Sequence, residues 1–115
     1  MNAAAAIDAL SALAQEHRLA LFRLLVRAGE AGMAAGAIAE RLGVPNSSLS
    51  FHLAQLSRAG LVRRERRHRS IIYRADYAAM NALVGYLMEN CCVDAGCGTD
   101  AAVAETPAQP RRKSA

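Results

Sequence analysis

Cys91-Cys92-Val93-Asp94-Ala95-Gly96-Cys97 contains every cysteine of the 115-residue chain. Three thiols gathered into seven residues point to a site rather than to packing. A thiolate is a soft ligand, so such a cluster suits thiophilic ions and not magnesium or calcium. It lacks the fourth ligand that a closed structural zinc site takes. One alternative is a stray core cysteine beside surface thiols. A disulfide framework is the other, and it is disfavoured by the odd count and by the strain of pairing adjacent cysteines.

The chain before this window bounds what the thiols could control. Its length predicts one small domain with a modest core, which a partner subunit would extend. The first eight residues have no basic stretch, and Asp8 interrupts their apolar run, so neither a signal peptide nor a membrane span is expected. A cytoplasmic setting with reduced thiols is the expectation. The net charge of +4 is unevenly placed. From Arg58 to Arg74 seven arginines stand against the single acid Glu65, Arg111-Arg112-Lys113 adds +3, and the rest of the chain sums to −5. A short arginine-rich stretch on an otherwise acidic domain is the footprint of a protein that meets a polyanion. The plainer alternative is a solvated charged face.

Hydrophobic periodicity predicts a mainly α fold. Ile7, Leu10, Leu13 and Ala14 recur at helical spacing, and Leu19, Phe22, Leu25 and Val26 form a second stripe through His17–Ala28. His17 and Arg18 are expected to cap and solvate that second helix. Gly29 closes it, and Gly32 ends the following turn. A third helix spans about Ala35–Leu42 and stops at Gly43. Asn46 is the expected N-cap of a fourth, which runs to about Ala59 and ends at Gly60. Two helices joined by a four-residue turn containing glycine make a helix-turn-helix. The period then changes. Leu61–Glu65 and Ser70–Arg74 read as hairpin strands around Arg66-Arg67-His68-Arg69, with His68 suited to a left-handed backbone. From the N-cap Asp76 a last helix runs to about Asn90. Its residues Tyr77, Met80, Val84, Leu87 and Cys91 step by 3, 4, 3, 4, the seam of a helix that pairs with another helix, and Gly85 beside it allows close approach. Beyond Val93 the composition shifts to Gly, Ala, Pro and charge, and disorder is expected from about Thr99. The domain reading is thus residues 1–92 as the folded unit and 93–115 as a cysteine-bearing, largely flexible tail.

Over roughly residues 7–92 the sequence resembles the ArsR/SmtB family of winged-helix metal-responsive repressors. "LSALAQEHRLALFRLL" is similar to that family's opening helices, "AIAERLGVPNSSLSFHLAQLSRAGLV" to its helix-turn-helix, and "IIYRAD" to its second wing strand entering the final helix. The resemblance implies a winged helix-turn-helix homodimer that represses transcription from double-stranded operator DNA. It places the interface on the first and last helices, here Ile7, Leu10, Tyr77, Met80, Val84 and Leu87. Some relatives bind metal through Cys-x-Cys on the helix before the reader, but Gly36–Leu42 holds no cysteine. Others bind zinc through histidines on the last helix, and here that helix has none. "ENCC" followed by a third cysteine resembles the arsenic-responsive subgroup, which implies As(III) or Sb(III) as inducer at Cys91, Cys92 and Cys97. Trivalent arsenic keeps a lone pair and is satisfied by three thiolates, so no fourth ligand is needed. Cys91 and Cys92 cannot both point along one helix face, so the helix must fray to converge them, with Gly96 turning Cys97 back. Such a site fits within one chain, and one shared across the dimer is the other arrangement.

The fourth helix is the expected DNA reader. Asn46, Ser47, Ser48, Ser50, His52 and Gln55 offer side chains for base edges and phosphates, while Leu49, Leu53 and Leu56 face the core. Phe51 would meet a thymine methyl or pack on a neighbouring helix. Arg66, Arg67 and Arg69 are expected along the backbone or in the minor groove. Two rivals stand beside this reading. A thiol oxidoreductase or arsenate-reducing enzyme would need a Cys-x-x-Cys on a βαβ unit, a phosphate cradle or a paired acid and base, none of which occurs. The other keeps the DNA-binding dimer but has the cysteines sense an oxidant, zinc, cadmium or a methylated arsenical.

Overall fold

A computed structural model describes residues 1–95. Gly96, Cys97, the expected disorder from Thr99 and the Arg111-Arg112-Lys113 triplet lie outside the described residues. Among the described residues the architecture is five α-helices and a three-stranded antiparallel sheet. Helix α1 (Ala3–Leu13) begins where Asn2 Oδ1 accepts from the Ala5 amide at 2.8 Å. Its inward face is not the large apolar stripe. Ala6, Ala9 and Ala12 are buried, and Ile7 and Leu10 point outward at 61% and 42% exposure. Small side chains let α1 lie close on the core while its bulkier residues face away.

Helix α2 (Glu16–Ala28) is capped by Gln15, whose side chain accepts from the Arg18 amide, and not by His17 or Arg18. Leu21, Phe22 and Leu25 are buried, whereas Leu19 of the expected stripe is exposed. After a single 3-10 turn comes a strand the periodicity did not predict, β1 (Met33–Ala34), which pairs with Tyr73 and Ile72. Gly32 makes that approach possible. Its φ is +66°, and a Cβ there would sit 2.6 Å from the Tyr73 carbonyl oxygen.

Helices α3 (Ala35–Leu42) and α4 (Asn46–Arg58) flank a turn in which Gly43 takes the left-handed conformation and donates to the Ala39 carbonyl at 2.8 Å. The residue at the start of α4 is Pro45 and not Asn46, which is already helical; proline's fixed φ suits entry into a helix, and no side chain caps it. Strands β2 (Val62–Arg67) and β3 (Ser70–Ala75) are longer than predicted and meet at a two-residue turn, so Arg66 and Arg67 belong to the strand. His68 carries φ 55°, as its loop position predicts, and Arg69 has no positive φ, which is the II′ pattern of a two-residue hairpin. The sheet order is β1-β3-β2.

Helix α5 (Tyr77–Met88) starts at the expected cap, with Asp76 Oδ1 accepting from the Ala79 amide. The Tyr77 hydroxyl donates to the Val26 carbonyl at 3.1 Å and ties α5 to α2. Among the described residues no helix is long and apolar enough to cross a membrane.

Candidate nucleic-acid interface and thiol cluster

Position along α4 decides which side chains can meet a ligand. Leu49, Leu53 and Leu56 are buried as their spacing predicts. Asn46, Ser47, Ser50 and Phe51 are exposed, with Phe51 at 57%, and Ser48 and Gln55 are half-buried. His52 departs from the expectation of a base or phosphate contact. It is only 9% exposed, because it falls on the same i, i+3, i+4, i+7 stripe as Leu49, Leu53 and Leu56. Its Nδ1 lies 3.3 Å from Arg18 Nη1, and Arg18 Nε donates to the Ala12 carbonyl at 2.7 Å. A guanidinium only donates, so Nδ1 accepts and the ring is neutral with its proton on Nε2. Burial, then Arg18 and then His17, whose ring centroid is 5.6 Å away, lower the His52 pKa from its ordinary 6.5. Arg18 therefore joins α1, α2 and α4 at one point. The stripe signalled His52's inward placement, but its partner, 34 residues away in sequence, had no local signal.

The hairpin sorts its arginines by face. Opposed residues of an antiparallel pair share a face, so Val62/Ala75, Arg64/Tyr73 and Arg66/Ile71 lie on one side, and Arg63/Arg74, Glu65/Ile72 and Arg67/Ser70 on the other. On the second side Arg74, its side chain 16% exposed, is ion-paired to Glu65 and to Glu30, the latter at 3.3 Å. Arg67 Nε lies 3.7 Å from the other Glu65 oxygen. Exposed pairs of that kind contribute little and leave Arg67 available. Arg66 and Arg69 are exposed as expected. The stretch's positive charge therefore divides into Arg74, which is consumed structurally, and the rest, which faces water.

Of the six residues expected at a dimer interface, Ile7, Leu10, Val84 and Leu87 are exposed, while Tyr77 and Met80 pack against the chain's own core. Leu83, off the seam, is the buried residue of α5. The helix is apolar on two faces, so one face packs at home and the other presents Val84, Leu87 and Met88.

Helix α5 ends before the cysteines, and the chain continues in turns closed by Cys91 N–H to the Met88 carbonyl and Val93 N–H to the Asn90 carbonyl. Asn90 and Cys92 both have φ 63°, and this fraying brings the Cys91 and Cys92 sulfurs to 3.3 Å. Cys91 is exposed and is the free thiol among the described residues. Cys92 is disulfide-bonded, contrary to the sequence argument against a disulfide. Parity excludes only a fully paired set, and adjacency disfavours only a Cys91–Cys92 bridge. Among the described residues no three His, Cys, Asp or Glu side chains form a metal-binding group.

Known proteins share this architecture. The helix-turn-helix domain family matches residues 13–65. The transcriptional activator HlyU of Vibrio cholerae is 31% identical over 91 residues, covering 79% of this chain and 82% of that one. The HlyU structure superposes with a TM-score of 0.63 at 31% identity, covering 79% of this chain and 96% of that one. An ArsR-like transcriptional regulator from Rhodococcus sp. RHA1 gives a TM-score of 0.68 at 30% identity, covering 79% and 82% of the two chains. A homodimeric winged helix-turn-helix DNA-binding domain from Mycobacterium bovis, described as a possible ArsR-family regulator, gives 0.59 at 28% identity over 83% and 87%. With the helix-turn-helix, the β-hairpin and this extent of likeness together, the chain belongs to the ArsR family of winged-helix transcriptional regulators.

Proposed function

We propose that this regulator is a homodimeric repressor of a metalloid-resistance operon, released from operator DNA when As(III) or Sb(III) binds Cys91, Cys92 and Cys97. The observation that carries the reading is the 3.3 Å approach of two sulfurs just beyond the end of α5, on a backbone that leaves helical geometry to achieve it. Reduced, that pair supplies two of the three thiolates a pyramidal As(III) centre takes. The site adjoins an element with an exposed apolar face, Val84, Leu87 and Met88, which supports dimerisation as in the homodimeric M. bovis relative. Thiols that converge on an ion would pull on α5, and through the dimer on the spacing of the two reader helices. By linkage, operator DNA must weaken arsenite binding by the factor with which arsenite weakens DNA binding, and a coupling of about 1–3 kcal/mol is ordinary.

A second reading has one observation in its favour. Cys92 is disulfide-bonded here, so the switch could be oxidation of the same cysteines; HlyU, a relative named as an activator, is also known as a structure of its reduced form. One titration separates the two. The protein, reduced with a phosphine and bound to its own promoter DNA, receives arsenite, antimonite, zinc, cadmium or an oxidant. Release by arsenite and antimonite, lost on changing any one of the three cysteines to serine, supports the metalloid reading. Release by oxidant alone supports the redox reading. If the triple serine variant still leaves DNA on adding arsenite, the cysteine window is not the sensor. A promoter–reporter strain with the regulator deleted decides the sign, because a repressor's loss raises expression and an activator's lowers it.

A further inference from the structure

A groove of about 390 Å³ runs between α4 and the stem of the hairpin, lined by Ser50, Leu53, Ala54, Ser57, Arg64 and Tyr73. We propose that it seats a single phosphate of the bound DNA, held by the Arg64 guanidinium with the Ser50, Ser57 and Tyr73 hydroxyls around it. The inference rests on the DNA-binding reading and names a contact within it that the sequence did not suggest.

The argument begins with topology. If α4 occupies the major groove and the hairpin tip the adjacent minor groove, the sugar-phosphate strand dividing those grooves must cross the space between helix and hairpin. The residues found in that space suit a phosphate. Ser50, Ala54 and Ser57 form one stripe at i, i+4, i+7, with two hydroxyls flanking a methyl small enough to admit a backbone. Arg64 stands opposite Tyr73 in the β2–β3 register, on the hairpin face that carries Val62 inward. It is exposed and has no hydrogen-bond or ion-pair partner among the described residues, unlike Arg74 with its two carboxylates. The hairpin's one acid, Glu65, projects to the opposite face and is held there by Arg74 and Arg67. The groove thus presents a free cation and hydroxyl donors with the nearest hairpin carboxylate turned away. A guanidinium and hydroxyls together match the acceptor oxygens of a phosphodiester.

The test uses the full-length protein and its promoter duplex, prepared as a set in which a single phosphate at a time is replaced by an uncharged methylphosphonate. Wild-type protein should show a position in each half-site where the replacement weakens binding by roughly ten- to a hundredfold, the size of one hydrogen bond to a charged group. Arg64→Ala should lose the same factor on unmodified DNA and become insensitive to methylphosphonate at that position. Its plot of log affinity against log salt should flatten by about 0.9, and Arg64→Lys should restore the slope. Ser57→Ala should give a smaller loss at the same position. Arg64 is exposed, so each variant should keep its far-ultraviolet spectrum and melting temperature. If Arg64→Ala keeps both the wild-type slope and the wild-type sensitivity profile, the seat is wrong although the protein reads DNA. Wild-type protein that binds none of these duplexes would overturn the DNA-binding reading itself, a distinct result.

Discussion

Replacing His52 by alanine should destabilise the domain and leave its choice of DNA sequence almost unchanged, the reverse of what a base-contacting residue would do. The ring is 9% exposed within the stripe Leu49, Leu53, Leu56, and it accepts from Arg18, which also holds the Ala12 carbonyl. Truncating it should cost about 2 kcal/mol in packing, the low end for large-to-alanine changes because an imidazole is smaller than a phenyl ring. The lost hydrogen bond to a charged group adds roughly 1.5 kcal/mol, again the low end, because half-buried Arg18 can turn toward water. A total near 3.5 kcal/mol should lower the melting temperature by at least about 14 °C in a domain of this size. The pH dependence supplies a second readout. Burial, Arg18 and His17 depress the folded-state pKa below 6.5, so between those two pKa values the unfolded chain holds more protons than the folded one. This contribution is complete above about pH 6.5 and is lost as the pH falls through the folded pKa. Urea melts of wild type and His52→Ala at one protomer concentration, from pH 8 to 5, should therefore converge at the acid end. If the variant unfolds within about 0.5 kcal/mol of wild type and keeps its acid dependence, the inward histidine is not a structural tie.

Other outcomes follow from single positions. Gly32→Ala should cost about 2–4 kcal/mol in chemical denaturation, from a left-handed φ of +66° and a Cβ 2.6 Å from the Tyr73 carbonyl oxygen. His68→Gly should stabilise the hairpin by roughly 0.5 kcal/mol, because relief of a positive φ slightly exceeds glycine's greater entropy when unfolded. Val84→Glu with Leu87→Glu should leave the protomer folded, since both side chains are more than half exposed, and yield monomers in analytical ultracentrifugation. Folded dimers from that variant would place the interface elsewhere. Arg66→Ala with Arg69→Ala should weaken binding to specific and random duplexes alike and flatten the salt slope by about 0.9 per lost phosphate contact, measured by titration at several salt concentrations.

What could be read beforehand follows from how local each signal was. Gly43, Pro45 and His68 act through their own backbone and Asp76 through a side chain that reaches only three residues on, and the turn before α4, the cap of α5 and the positive φ of the hairpin all appear at or beside the expected residues. Strand β1 was invisible because two residues carry no period; only pairing with Tyr73 and Ile72 makes Met33 and Ala34 a strand. The burial of Ala6, Ala9 and Ala12 was missed for a different reason. Weighing side chains by apolar bulk favours Ile7 and Leu10, whereas close helix packing favours the smallest residues and sends the bulky ones outward. The same stripe that correctly placed Leu49, Leu53 and Leu56 also contained His52, and the period of two that placed Val62 inward also put Arg64 beside α4. For His52 polarity outweighed position, though periodicity was the better guide. The cysteine window shows the opposite limit. Its residues mark where chemistry can occur, and the sulfurs of Cys91 and Cys92 do approach. Sequence spacing carries no information on oxidation state, and soft-ion chemistry at these cysteines would require their sulfurs as thiolates.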